Sequence, residues 1–189
     1  LYIDSGAMYR AVTLAWLRKY GDKSTNDRER LVEILSKFNL RLEDNSKSVY
    51  LNNENVSEAI RANQVSNNVS YIASFKEVRE TLVEMQREIA ANRSVVMDGR
   101  DIATVVFPDA DLKVYMVASP QVRAERRLKD LEAKDETVNL ETLVREIEAR
   151  DRQDSERSES PLRKAPAAYE INTDNLTIDE VVAEILNLF

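Results

Sequence analysis

Cysteine and histidine are both absent from this sequence of 189 residues. Without cysteine the chain can form neither a disulfide nor a thiolate nucleophile, and without histidine it lacks the commonest general base and metal ligand. These two absences exclude catalytic triads and zinc sites. Glycine is also scarce: three are present, and none belongs to a glycine cluster of the kind that cradles phosphates.

Long hydrophobic runs are missing too. No apolar stretch approaches the roughly 20 residues of a membrane span, and no signal-peptide pattern opens the chain, so we expect a cytoplasmic protein without a membrane partner. The net charge of −7 argues against a broad nucleic-acid-binding face. Arginines nevertheless cluster at 123–127 and 145–163, which leaves room for a local anion site. The length suits one domain with a sizeable core, or a core with a small insertion.

The most informative stretch is residues 94–101. Three apolar residues end in Asp98-Gly99-Arg100-Asp101, which predicts a short strand that is buried on both faces and runs into a turn. Ligands of open α/β sheets bind at the carboxyl ends of the strands, so these charged side chains are placed to meet one. An ordinary solvated turn after a strand is the alternative, and this stretch alone leaves both open.

The rest of the chain alternates between strand and helix patterns. A strand end at 1–6 leads into a helix over 7–20, and further helices are predicted at 26–38, 56–62, 63–73, 76–91, 120–131, 141–154 and 178–188. Strands are predicted at 112–117 and 169–173, and a hairpin joins 40–43 to 49–51. The alternation predicts an α/β fold with a parallel sheet and helices on both faces, and the hairpin predicts an insertion that shapes a substrate pocket.

Several polar residues allow two interpretations at this stage. Arg10 lies one turn inside the first helix, whose amino end suits an anion. Ser70 and Arg79 lie near helix ends, where a cap and a solvated side chain are the simpler explanations. The arginine-bearing helices on either side of 132–140 form either a solvated charged hairpin, which counting alone favours, or a lid that closes on phosphates.

Three motifs, taken in order, resemble bacterial cytidylate kinases. They are Asp4-Ser5-Gly6-Ala7-Met8-Tyr9-Arg10, then 98–101 with 104–110, then Arg150 followed by Asp154, Arg157 and Ser160-Pro161-Leu162. The resemblance covers essentially the whole chain. It implies a P-loop nucleoside-monophosphate-kinase fold and a monomer that uses ATP and Mg²⁺ to phosphorylate CMP or dCMP. It also implies a core of 1–25, 92–122 and 158–189, a monophosphate-binding insertion over 26–91 and a helical lid over 123–157.

The resemblance also implies a role for each matching residue. On the CMP side it places Ser5 and Arg10, the cytosine-reading Ser70, Arg79 and Asp101, and Asp154 on the ribose hydroxyls. On the phosphates it places Arg100, Arg150 and Arg157, with the lid arginines Arg123, Arg126 and Arg127 closing over ATP and Asp98 at the water shell of the metal. Phosphoryl transfer needs positioning and positive charge rather than an elaborate acid or base, and arginine grips phosphate oxygens in pairs.

One departure from the family is large. Its members open with a strand and a glycine-rich phosphate loop, and this sequence begins after that segment. Because that strand is central to the family's sheet, its removal would expose the neighbouring strands and the core, so we expect these residues to belong to a longer protein. The alternatives are a CMP-binding fragment without catalysis and a related kinase that acts on UMP or AMP.

Overall fold

The computed structural model describes residues 1–21, 23–133 and 138–189. Its strands are β1 (Tyr2–Asp4), β2 (Leu40–Glu43), β3 (Ser48–Leu51), β4 (Glu54–Asn55), β5 (Val96–Asp98), β6 (Val114–Val117) and β7 (Tyr169–Asn172). Its α-helices are α1 (Ser5–Tyr20), α2 (Asp27–Leu35), α3 (Asn63–Ile72), α4 (Lys76–Ala90), α5 (Pro120–Glu132), α6 (Leu140–Glu156) and α7 (Ile178–Leu186). The link predicted at 132–140 lies partly outside the described residues.

The predicted α/β class is confirmed. In the described part of the chain the parallel strands form two pairs, β1 with β5 and β6 with β7, and the predicted hairpin gains a third strand to give the antiparallel order β2-β3-β4. The register of the first pair sets Asp4 beside Asp98, so both β1 and β5 end at one edge. Functional side chains that follow these two strands are therefore brought together.

The prediction that β5 is buried on both faces is wrong. Val96 is 69% exposed, and Met116 in β6 is 56% exposed. The apolar run correctly marked a strand, but burial depends on neighbours that lie elsewhere in the chain, and within the described residues β5 pairs on one side only. Helix α7 likewise has no buried residue, and its Ile178 is 83% exposed.

The main hydrophobic core lies around α1, against α2, α3, α4 and the three-stranded sheet. Met8 and Trp16 of α1 are completely buried there. The indole of Trp16 donates a hydrogen bond to the buried carboxylate of Asp27, which also accepts from the hydroxyl of Tyr71 at 2.9 Å. Burial alone would raise the pKa of Asp27, but hydrogen bonds led by that of the Ser24 amide hold it below its ordinary value.

The turn between β2 and β3 ties the antiparallel sheet to β1. Asn45 and Ser46 in this turn have positive φ angles of 53° and 63°, and their side chains accept hydrogen bonds from the backbone amides of Tyr2 and Asp4. Side chains of the turn thus occupy part of the edge of β1 that faces away from β5. The antiparallel sheet is in this way fixed to the strand that leads into α1.

Helices α5 and α6 form a hairpin with a small core of its own, made of Ala124, Leu131 and Leu143. Ser119 caps α5 through the amide of Val122. Thr177 and Glu180 form a reciprocal capping box at the start of α7. Among the residues that the structure describes, none of the helices combines the length and apolar character needed to cross a bilayer.

Candidate functional site

The carboxyl ends of β1 and β5 open onto a cavity of about 560 Å³, part of which is solvent at its mouth. Helices α1, α3, α4 and α6 supply its other walls. Its charged residues comprise five arginines and four aspartates, although the chain as a whole is acidic. The lining residues include Ser5, Arg10, Ser70, Arg79, Asp98, Arg100, Asp101, Arg150, Asp154 and Arg157. Residues predicted from all three sequence motifs therefore meet in one place.

The start of α1 is built around Asp4. One carboxylate oxygen of Asp4 accepts the amide of Ala7 at 2.8 Å and caps the helix, and the other accepts from the Arg10 guanidinium at 2.8 Å. The Ser5 hydroxyl donates to the carbonyl of Asp98 at 2.7 Å. A Cβ at Gly99 would lie 2.3 Å from that hydroxyl oxygen, so the close approach of α1 to β5 requires glycine there.

A buried ion pair closes one end of the cavity. Arg79 of α4 donates to Asp101, and both side chains are 4% exposed. Arg79 also donates to the carbonyl of Ala73 at the end of α3. The interpretation of Arg79 as a solvated basic residue is therefore wrong, and so is that of 98–101 as a purely solvated turn, because packing of α4 against the loop after β5 removes this pair from water.

Asp101 is held in place by a π-helical turn over Ile102–Val106, which no local sequence pattern predicts. Arg87 of α4 donates to the carbonyls of Val105 and Val106, at 2.8 and 3.1 Å, and so anchors the turn from outside the cavity. The amide of Val105 in turn donates to the Asp101 carbonyl. Arg87 therefore acts on the site through the backbone, and no sequence motif marked it.

The opposite side of the cavity is organised around Asp154 of α6. This buried carboxylate lies 3.3 Å from Arg100, 3.4 Å from Arg157 and 3.9 Å from Arg150. Arg157 also donates twice to the carbonyl of Ser160, at 2.7 and 2.9 Å. One negative charge thus faces three positive ones, which leaves net positive charge on this side.

The electrostatics of this cluster favour an additional anion. Burial lowers the pKa of Arg150, and the neighbouring charge of Arg100 lowers it further. Burial likewise lowers the pKa of Arg157, followed by the effect of Arg79. Both shifts reflect desolvated positive charges that repel one another. A bound phosphate would supply the missing negative charge.

Buried polar atoms without a hydrogen-bond partner concentrate in the same cavity. In the described part of the chain, six side chains have buried polar atoms without a partner, and all of them except Gln86 line the cavity. The others are the hydroxyls of Tyr9 and Ser70 and the Nε atoms of Arg10, Arg79 and Arg150. Such atoms are rare in folded proteins because each loses its hydrogen bonds to water. Their clustering is typical of a pocket whose partners come from a ligand.

Three predicted residues are not brought to this cavity. Arg123 forms a two-pronged ion pair with Asp151 of α6, and the guanidinium of Arg126 donates to the carbonyl of Thr173. Arg127 donates to Asn63 at the start of α3, at 3.1 Å. The first two therefore join α5 to its neighbours, and the third joins the α5–α6 hairpin to α3.

Asp98 lies at the exposed rim of the cavity. Its carboxylate accepts a hydrogen bond of 2.7 Å from the hydroxyl of Tyr2. Within 1–21, 23–133 and 138–189, no group of three or more acidic, cysteine or histidine residues is arranged to hold a metal ion. A metal at this point would therefore have fewer than three such protein ligands among the described residues.

The α/β fold and the arginine-rich pocket at the strand ends define a protein that binds a phosphorylated ligand. The family model for cytidylate kinases matches residues 1–189. The cytidylate kinase of Leuconostoc mesenteroides is 50% identical over 190 residues, which cover 100% of this chain and 84% of the relative. That of Lactobacillus gasseri is 44% identical over 187 residues, 98% of this chain and 80% of the relative. The chain belongs to the cytidylate kinase family.

Proposed function

We propose that the protein transfers the γ-phosphoryl group of ATP to CMP or dCMP, giving CDP or dCDP. Family membership supports a nucleoside monophosphate kinase that uses ATP. The observation that carries the choice of site is the cavity whose buried polar groups lack partners within the described protein. A nucleoside monophosphate, which is rich in acceptors and negative charge, satisfies those groups.

The base binds at the Arg79–Asp101 end. Cytosine carries an amino donor at position 4 beside an acceptor nitrogen at position 3. The Asp101 carboxylate accepts from the amino group, and the buried Nε–H of Arg79, which has no partner, donates toward the ring nitrogen. The Ser70 hydroxyl, also unpartnered, lies on the same wall and adds a third polar contact. Uracil presents these two functions in reverse order and meets mismatched partners.

The sugar and phosphate lie toward α1 and α6. Asp154 takes the ribose hydroxyls, and Arg10 at the first turns of α1 binds the phosphate. Ser5 lies beside Arg10. Because its hydroxyl proton is donated to the backbone carbonyl of Asp98, its oxygen can meet the ligand only as a hydrogen-bond acceptor. Arg100, Arg150 and Arg157 surround the same region with the positive charge that phosphates need.

The transfer itself requires little acid–base chemistry. An oxygen of the CMP phosphate forms the new bond to the γ-phosphorus, while the bond from that phosphorus to the bridging oxygen breaks and ADP leaves with the electron pair. The arginines hold the two negatively charged reactants close and stabilise the charge spread over the transferring group. No histidine is needed for either task.

Asp98 suits a supporting role toward Mg²⁺. Protein sites for this ion commonly offer one or two carboxylates, with waters and phosphates as the remaining ligands. The exposed carboxylate of Asp98 at the cavity rim fits that arrangement, and it would hold the water shell of the ion. When bound, Mg²⁺ neutralises charge on the phosphates of ATP.

Residues 123–157 act as the lid, 26–91 as the monophosphate-binding insertion, and 1–25, 92–122 and 158–189 as the core. The separate small core of the α5–α6 hairpin supports its movement as a unit. In this proposal Arg123, Arg126 and Arg127 exchange their present contacts for ATP phosphates as the lid closes. The cytoplasmic location and the monomeric state stay predictions.

Steady-state rates with ATP and each of CMP, dCMP, UMP and AMP test the function. We expect kcat/KM to be highest for CMP and dCMP. Arg10→Gln should raise the KM for CMP about tenfold or more, because a charge-assisted phosphate contact is lost. Arg18→Gln is the matched control, since Arg18 lies on the same helix but pairs with the exposed Glu54 away from the cavity. Faster turnover of UMP or AMP would identify a sister kinase, and CMP binding without turnover would identify a binding module.

A further inference from the structure

Tyr9 lines the cavity, but no role for it was predicted from the sequence. It lies one turn after Ser5 on α1, and it is 7% exposed. Its hydroxyl is buried and has no hydrogen-bond partner of normal geometry among the described residues. By contrast, the hydroxyl of Tyr2 donates to Asp98 and that of Tyr71 donates to Asp27.

The surroundings of Tyr9 define what is missing. The guanidinium carbon of Arg79 lies 5.1 Å from the centre of the Tyr9 ring, and Asp101 and Arg157 are the other charged groups nearby. Arginine can only donate hydrogen bonds, so the contact of Arg79 with the Tyr9 hydroxyl still leaves the hydroxyl proton without an acceptor. Burial, more than any of these charges, raises the pKa of Tyr9 to about 12, so the hydroxyl keeps its proton at neutral pH. Tyr9 is therefore a buried donor that needs an acceptor.

We infer that Tyr9 is a further substrate-binding residue, whose hydroxyl donates to the carbonyl oxygen of the pyrimidine base. This inference rests on the proposed function. In cytosine this carbonyl, at position 2, is adjacent to the ring nitrogen assigned to Arg79. Tyr9 lies directly beside Arg79. When Arg79 donates to the ring nitrogen at position 3, the Tyr9 hydroxyl is therefore close to the neighbouring carbonyl oxygen at position 2. The three unpartnered groups Tyr9, Ser70 and Arg79 Nε then surround one edge of the base.

Two tyrosine-to-phenylalanine variants separate binding from folding. In Tyr9→Phe we expect the Kd for CMP, measured by calorimetry, to rise about tenfold, while Tm stays unchanged or increases because an unpaired buried hydroxyl has been removed. Cytidine should lose affinity by a similar factor, since it keeps the base carbonyl and lacks the phosphate. Tyr71→Phe is the matched control: its hydroxyl is paired with Asp27 outside the cavity, so Tm should fall and the Kd for CMP should stay the same.

An unchanged Kd for CMP in Tyr9→Phe would overturn the inference, and so would a lower Tm of the size seen in Tyr71→Phe. A loss seen with CMP but not with cytidine would overturn the assignment to the base and place the hydroxyl on the phosphate. The proposed function fails separately. A parent protein that binds CMP without phosphorylating it contradicts the kinase reaction but still allows the two affinities to be compared.

Discussion

Replacing Asp101 by asparagine tests the proposed base recognition most directly. Asp101 and Arg79 form an ion pair in which both side chains are 4% exposed. Asparagine keeps the shape of the side chain and one acceptor oxygen, but it removes the negative charge and replaces the other oxygen with an amide donor. The change therefore alters hydrogen-bonding character at the base with little change in volume.

The expected cost to folding follows from the burial of the pair. A hydrogen bond to a charged group contributes about 1.5–3 kcal/mol, and Arg79 keeps part of its pairing through the amide oxygen and the Ala73 carbonyl. We therefore expect the free energy of unfolding to fall by about 2 kcal/mol. For a chain of this length that lowers Tm by roughly 4–8 °C.

Asp101→Asn should also change the preference of the enzyme for CMP over UMP. A mispaired buried group costs roughly 1–3 kcal/mol, and the amide group that Asp101→Asn introduces repels the cytosine amino group but suits the uracil carbonyl. We expect the ratio of kcat/KM for CMP to that for UMP to fall about tenfold or more, mostly through loss of CMP turnover. Coupled assays of both substrates on parent and variant measure this ratio.

Asp27→Asn is the matched control for this experiment. Asp27 is a buried aspartate with an arginine partner, Arg30, but it lies away from the cavity. Its replacement should lower Tm without changing the CMP to UMP ratio. If Asp101→Asn leaves the ratio unchanged while lowering Tm, Asp101 does not read the base and its pair with Arg79 is purely structural.

Three further predictions follow from the same structure. Arg157→Lys keeps the charge but replaces a planar fork with a single ammonium, so kcat should fall about tenfold, and turnover within twofold of the parent would refute this. Amide hydrogen exchange over 123–157 should slow when CMP and ATP or a bisubstrate analogue are bound; equal exchange in free and bound protein would mean that the hairpin is only a solvated surface. Hydrogen bonds outweigh burial and lower the pKa of Asp27 in the folded state. The ionised Asp27 therefore stabilises the fold above its unfolded pKa of about 3.9, and this stabilisation is lost as pH falls through its pKa in the folded state. The free energies of unfolding of the parent and of Asp27→Asn should therefore converge at low pH. A constant difference between them from pH 7 to pH 2 would contradict this.

Local chemistry explains which features the sequence predicted well. Helix starts and hairpin turns depend on residues a few positions apart, and the structure has the beginnings of α5 and α7 and the β2–β3 hairpin where the sequence predicted them. The rule that ligands bind at strand ends likewise placed Asp98 and its neighbours correctly at the cavity.

Contacts between distant residues were decided only by the tertiary structure. Arg100 meets Asp154 across 54 positions and Arg79 meets Asp101 across 22, and neither pairing is written in the local pattern. The anchoring of the π-helical turn by Arg87 has the same origin. An apolar run reports that a segment prefers burial, but the neighbours that bury it, or pair its charges, are supplied by other parts of the fold. Sequence alone therefore determined the elements and the type of chemistry, whereas long-range packing determined which side chains share the site.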